Sequence, residues 1–527
     1  MMAACRGLLS NVELLLTKGT RINAATSDGK TALSIAATLG YREVVRHLCA
    51  KGAIVDTKDI DGQTPLAAAA RNGHSGTMRI LLEQPSVNID LQDGNGETAL
   101  FKAARRNHVE CLQILINAGA STHLADQEGN TALDAATEKG HVNCVGLLVK
   151  VDTSTDRAVL IATRKGNAAC LKKLLDAKAS PNIQNGEGMS ALMLASSQGH
   201  RECLSLLLDF GASVEQLDTH GNSAIYYACD KKSIDCLRLL LDRKGDPNEQ
   251  GNRGKTPLMT AAMSWAPEAV LCARLLLKRG AEVDKTDHAG NTALSKAIFG
   301  SVEMLKCLIE AEAQIDHPDA MGLTALMQAA GCGFLEEAKT LLDSGADINF
   351  ANPVSGMTAL ACAISEGEFE MAGFLASAGA SIAKTVDSLE VSSLRTVRMR
   401  VRIEFKKKYS RSGTNAASDN IVSVSSLDST NVQQQDNRKP LDMEFLQELM
   451  ATLTARIERL KADRHPFVAL SPFFKAILRK KATSIRRSRT RLPRPSMSAR
   501  QVSFLPPSGA QSTIQSASRT VTPSTIS

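Results

Sequence analysis

Asp61-Gly62-Gln63-Thr64-Pro65-Leu66-Ala67-Ala68-Ala69-Ala70-Arg71-Asn72-Gly73-His74 is the stretch that decides the fold, because each of its residues has a local structural purpose. Asp61-Gly62 is a turn dipeptide, with Gly supplying the positive φ of a tight hairpin. Thr64 stands where an N-cap belongs, and Pro65 occupies the first helical position, where its missing N–H costs nothing. A short alanine-rich helix follows and Gly73 ends it. Beyond His74, the residues Met78, Ile80, Leu81 and Leu82 give a second, more apolar helix at helical spacing.

The same plan returns about every 33 residues. Thr64-Pro65-Leu66 is echoed at Thr31-Ala32-Leu33, Thr98-Ala99-Leu100, Thr131-Ala132-Leu133, Ser190-Ala191-Leu192, Ser223-Ala224-Ile225, Thr256-Pro257-Leu258, Thr292-Ala293-Leu294, Thr324-Ala325-Leu326 and Thr358-Ala359-Leu360. A fixed period of this size means a stacked solenoid. No such unit buries its apolar face alone, so neighbours supply the core and a long surface remains for binding. The expected fold is an all-α repeat solenoid of helix-turn-helix units with β-turn fingers, followed by a largely disordered basic tail.

These motifs resemble the ankyrin repeat family, whose signature is a turn, Thr-Pro-Leu-His, Ala, Gly-His and a Leu-Leu pair before Gly-Ala. Gly-Ala follows the second helix at Gly52-Ala53, Gly119-Ala120, Gly211-Ala212, Gly280-Ala281, Gly345-Ala346 and Gly379-Ala380, and Gly-His precedes it at Gly73-His74, Gly140-His141 and Gly199-His200. The resemblance covers residues 1–384 as about 11–12 repeats. The histidine of the family tetrapeptide is replaced by Ser34, Ala67, Phe101 and Asp134, so weaker ties between repeats are expected. Ala3 to Asn23 reads as a second helix with little before it, either a minimal cap or a chain that starts late.

Two spacings break the period. From Thr131 the next equivalent position is Arg157, 26 residues on, and 149–157 lacks the turn glycine, so a whole finger is missing. From Thr256 to Thr292 is 36 residues, an insertion at 263–270 around Trp265-Ala266-Pro267.

Cys111, Cys144, Cys170, Cys203 and Cys236 each lie 13 residues after their repeat's Thr-equivalent. Stacked helices run about 8–10 Å apart, beyond the Cα separation of about 7 Å that a disulfide accepts. These are core spacers in a reducing compartment, cytosol or nucleus, and no CxxC pair suggests zinc. No cofactor is expected. Gly254-Lys255-Thr256 and Gly29-Lys30-Thr31 look like the end of a phosphate loop, but its first glycine is Glu249 or Ala24. His74, His141 and His200 recur with the repeat and read as structural, so the chain reads as no enzyme.

The resemblance implies a concave binding face built from the turn tips and the exposed ends of the first helices. Just before the helix-ending glycine or its equivalent lie Arg71, Arg105, Arg106, Lys139, Arg164, Lys165 and Lys231, a basic stripe suited to acidic side chains on a partner protein. Turn-tip acids Asp61, Glu97, Glu128 and Glu187 offer the alternative that palm and fingers pair with one another. Farther on, Phe299, Met321, Leu323, Val354 and Met357 occupy finger or palm sites and suggest an apolar section for a hydrophobic anchor. The function expected is a protein-binding scaffold or adaptor. The alternative is membrane-surface or nucleic-acid binding through the tail, with the repeats regulating.

From Thr385 to Ser527 there are 25 Lys and Arg against 11 Asp and Glu, a net of +14 in a chain whose total is +7, so the array carries −7. Residues 385–440 form a basic, polar linker. In 441–463, Leu446, Met450, Leu453, Ile457 and Leu460 keep a 4-3-4-3 spacing, a two-heptad amphipathic helix suited to docking or to a coiled coil. Residues 464–527 are acid-free, with Lys475, Arg479, Lys480, Lys481, Arg486, Arg487, Arg489, Arg491 and Arg494 crowded together. Such a block attracts anionic surfaces of membrane, nucleic acid or protein, the acidic array included. Ser484, Ser488 and Ser496 lie among or just after arginines, where phosphorylation would offset the charge.

Overall fold

The computed structural model describes residues 1–389, 397, 398, 400, 401 and 441–462, all within the compact unit Met1–Ser471. These residues form 26 α-helices and no strand, with isolated bridges only at Ala25–Thr31 and Gln184–Ser190. Helices alternate between an inner row, such as Pro65–Asn72 and Ala99–Arg105, and an outer row, such as Ser75–Leu82 and Val109–Asn117. Inner helices pack on inner and outer on outer from one repeat to the next.

Ten inner helices start on the same chemistry. The hydroxyls of Thr31, Thr64, Thr98, Thr131, Ser190, Ser223, Thr256, Thr292, Thr324 and Thr358 accept the N–H three residues on, at 3.1–3.4 Å. Each such cap contributes about 1 kcal/mol. Ala67, Ala68, Ala69 and Ala70 are all buried, and their small size lets the next inner helix approach. Gly73 is required twice over: its φ is 78°, and an added Cβ would stand 2.6 Å from the His108 ring.

That ring is one of a series, and it corrects the expectation of weak ties. Nε2–H of His74, His108, His141 and His200 donates to the carbonyls of Thr38, Arg71, Arg105 and Arg164 in the preceding repeat, at 3.0–3.2 Å. Asn167 makes the same tie to Thr137 at 2.6 Å. The link missing from the tetrapeptide is therefore supplied by the residue that opens the outer helix. Cys111, Cys144, Cys170, Cys203 and Cys236 are buried, and all twelve cysteines are free.

Successive fingers are joined by hydrogen bonds, through the backbone at six steps, Ile60 N–H to Asp28 O, Gly94 to Asp61, Gln127 to Asn95, Thr219 to Glu187, His288 to Arg253 and Ala320 to Ala289, and through asparagine side chains at two, Asn252 N–H to Asn222 Oδ1 at 3.2 Å and Asn352 Nδ2 to Met321 O at 2.9 Å. The series stops at the missing finger. There the inner helix Asp156–Lys165 begins before Arg157, and Thr155 gives no side-chain cap. Arg157 reaches across the gap instead. Its Nη2 donates to Asn130 Oδ1 at 2.7 Å and Glu128 O at 3.4 Å, and its Nε lies 3.5 Å from Asp134 Oδ2. The later insertion shortens one inner helix to Pro257–Ala262 and lengthens its partner to Pro267–Lys278. At the far end, Ile382–Ser388 packs on Ala359–Glu366, while Leu441–Ala462 packs on Phe369–Ser377 and Ile382–Ser388.

Candidate protein-binding surface

A finger can only contribute to binding if it is held in place, and four of them are held by an unanticipated device. Asp93, Asp218, Asp287 and Asp319 open their fingers, and each Oδ1 accepts the N–H groups two and four residues on. The other oxygen takes a donor from the inner helix, four residues past its N-cap. Lys102 Nζ lies 2.6 Å from Asp93, Tyr227 hydroxyl 2.6 Å from Asp218, Lys296 Nζ 2.8 Å from Asp287 and Gln328 Nε2 3.3 Å from Asp319. Burial alone would raise the Asp93, Asp218 and Asp287 carboxyls, but these donors and the backbone N–H groups hold them below the usual range. Tyr227 is pushed up by burial and then by its bond to Asp218.

The basic stripe lies on the exposed ends of successive inner helices. Arg71, Arg105, Arg106, Lys139, Arg164, Lys165 and Lys231 are all exposed. Several are partnered at home: Arg105 with Glu97, Lys165 with Glu138 at 3.2 Å, Lys139 with Glu138 at 4.0 Å and Lys231 with Asp230 at 2.9 Å. The Lys165 hydrogen bond holds the Glu138 carboxyl below its ordinary value. Arg71, Arg106 and Arg164 make no ion pair among the described residues. Glu97 is not a turn tip as its sequence position suggests: it follows Gly96 and is buried, clamped by Lys102 at 2.8 Å and by Arg105.

The apolar section needs a larger correction. Phe299 is 9% and Leu323 6% exposed, and Phe299 sits edge-on to Phe334 at 6.1 Å, so both belong to the core. Val354 is 78% exposed, with Met321 and Met357 half-buried. Two residues that the repeat pattern does not single out become prominent at the insertion. Met263 is 43% and Trp265 48% exposed just past the inner helix Pro257–Ala262, in register with the ends that carry the basic stripe. On the finger of the same repeat, burial and then nearby Lys296 and Arg253 pull the Lys255 ammonium below its ordinary value. Cations are thus crowded at one end of that inner helix and apolar side chains exposed at the other.

Among the described residues, no group of three His, Cys, Asp or Glu is placed to hold a metal, and no helix is long and apolar enough to cross a membrane. The basic block Lys475–Arg494 and Ser484, Ser488 and Ser496 lie outside the described residues.

A family model described as ankyrin repeats (3 copies) matches residues 1–93, 85–157, 159–251, 243–319 and 299–386. The chain is 42% identical over 94 residues to the ankyrin repeat and KH domain-containing protein mask of Drosophila melanogaster, covering 18% of this chain and 2% of that one. It is 42% identical over 95 residues to ankyrin repeat and KH domain-containing protein 1 of Homo sapiens, 18% and 4% of the two chains. It is 32% identical over 132 residues to the nuclear factor NF-kappa-B p105 subunit of Gallus gallus, 24% and 13%. The matched stretch thus spans a small part of these relatives. A crystal structure of the human ASB11 ankyrin repeat domain aligns with 27% identity over 41% of this chain and 100% of that one, with a TM-score of 0.37.

Proposed function

Because the chain belongs to the ankyrin repeat family, whose repeats generally bind other proteins, we propose that it is a non-enzymatic scaffold that captures an acidic, apolar-anchored segment of a partner protein. One observation carries this reading: the exposed inner-helix ends run from Arg71, Arg106 and Arg164, which lack ion-pair partners among the described residues, to exposed Met263 and Trp265. Guanidinium forks suit carboxylates, and Trp and Arg are the side chains most often dominant in binding. Fingers tied down before binding reduce the ordering entropy lost. Met321, Val354 and Met357 extend the apolar end. The free cysteines support a reducing compartment, cytosol or nucleus.

The test uses the full chain and a fluorescent Asp/Glu-rich peptide carrying one leucine. Arg71→Glu, Arg106→Glu and Arg164→Glu together should weaken binding about tenfold or more and leave the thermal midpoint nearly unchanged. Arg105 is best left intact, since reversing it would set two carboxylates against each other at Glu97. Equal affinity of the triple variant would remove the basic half of the proposal. A second reading rests on the tail, 25 basic against 11 acidic residues from Thr385 on: attachment to anionic vesicles or nucleic acid that falls steeply with salt and survives the triple variant would favour it.

A further inference from the structure

Every regular unit of this array has a finger, an inner helix, a tight turn and an outer helix. After Gly379-Ala380 the order changes. No finger comes next; Ser381 caps Ile382–Ser388 directly, accepting the Lys384 N–H at 3.3 Å. Thr385 comes 27 residues after Thr358, close to the 26 that separate Thr131 from Arg157 across the other fingerless junction. The Thr358 and Thr385 hydroxyls are 2.9 Å apart. Ile382–Ser388 packs on the inner helix Ala359–Glu366, as the next inner helix would, and Leu441–Ala462 packs on the outer helix Phe369–Ser377, as the next outer helix would. Between them, Val397 and Val401 are buried, and Arg400 Nη1 donates to Ser365 O at 2.6 Å. Ser365 stands two residues before Gly367, as Thr38 does before Gly40, Arg71 before Gly73 and Arg164 before Gly166. A guanidinium occupies the place that histidine takes in the earlier repeats.

We infer that residues 381–462 are a final repeat split by an insertion, and that the end face of the array is a binding site for one amphipathic helix, filled by this chain's own Leu441–Ala462. Of the seam residues, Leu446, Leu453 and Ile457 are buried and Met450 is half-buried, and Phe445 and Leu449 are buried beside them, so the buried stripe of this helix is shifted from the seam by the inclusion of Leu449. The polar contribution is small. Arg456 lies 3.3 Å from Asp387 in a pair that solvent reaches, and its Nε is buried without a hydrogen-bond partner among the described residues. Elsewhere a few residues join inner to outer helix, and one cannot leave without straining the other. Here residues 402–440 intervene between Val401 and Leu441, a contour of about 130 Å at full extension, so the outer helix can leave and return alone. Docking of that helix thereby sets how closely the chain beyond Ala462 is tethered to the array. This holds whichever partner the inner-helix ends bind.

Hydrogen exchange on the full chain tests it, with the variant Leu449→Asp/Leu453→Asp and a synthetic peptide of residues 441–462 as the probe. The variant should exchange about tenfold faster or more at Phe369–Ser377 and Ile382–Ser388, with residues 1–343 unaffected. Added peptide should restore protection there, and wild type should be monomeric by light scattering. Unchanged exchange at the end face would overturn the assignment, as would failure of the peptide to restore it. So would protection lost throughout the array, or a wild-type dimer that the variant converts to monomer.

Discussion

Replacing Lys102 with methionine separates a finger from its inner helix with little change of shape. The Lys102 side chain is 7% exposed, and its ammonium lies 2.6 Å from Asp93 and 2.8 Å from Glu97. Methionine keeps most of the stem and removes the charge. Stripping one partner from a buried pair costs about 3–5 kcal/mol when the other is left alone. Here the carboxylates keep some support: Asp93 retains the Asn95 and Glu97 N–H groups at 2.9 Å, and Glu97 retains Arg105. The expected loss is therefore about 2–3 kcal/mol at pH 7. The pH dependence has a definite sign. Burial raises the Asp93 carboxyl, but Lys102 and two backbone N–H groups overcome it and the net value is depressed. A carboxyl depressed in the fold contributes stability above its unfolded pKa, about 3.9, and that stability is lost as pH falls through the folded value. The gap between wild type and variant should be wide at pH 7 and close in acid below about pH 4. Urea unfolding at both pH values, with hydrogen exchange at residues 93–98 to localise the effect, measures it, since repeat arrays lose units piecemeal. Adding Asp93→Asn to Lys102→Met should recover part of the loss. A cost under about 0.5 kcal/mol, or a gap indifferent to pH, would refute charge as the force that holds the finger.

Arg157→Ala should speed exchange at Gly129 and Asn130 several-fold with unchanged helix content, and Arg157→Lys should not restore protection, because a point charge cannot span both acceptors; full restoration by lysine would show that charge alone suffices. Burial pushes the thiols of Cys144, Cys170, Cys203 and Cys236 up to about 11, so a disulfide-exchange reagent at pH 8 should modify exposed Cys5 promptly and these four only on unfolding. Equal rates would mean that the outer row opens freely.

Much of this architecture is legible in the sequence because its parts are local and repeated. Thr64, Pro65 and Gly73 announce a helix start and stop within ten residues, and the missing finger shows as a short spacing before Arg157. The features that escape such reading depend on neighbours. The donors Lys102, Tyr227, Lys296 and Gln328 share a position but no chemistry, so no pattern is visible until each faces its aspartate. Phe299 occupies a palm position yet is buried beside Phe334, one repeat away. The exposure of Met263 and Trp265 follows from an insertion whose length is readable but whose path is not. The inter-repeat histidine tie is visible in sequence only as Gly-His, and one member, His108, follows Asn107 instead, a non-glycine at φ 61°.

The gap between the fingers at Glu128 and Glu187 has a mechanical consequence. Strain entering from either terminus passes from finger to finger through hydrogen bonds until it meets this gap, where the Arg157 side chain ties the Glu128 finger to the following inner helix instead. A molecule stretched in an optical trap should therefore part first near residue 150, yielding two blocks of unequal length that extend in succession, with the shorter, amino-terminal block keeping its own set of joined tips.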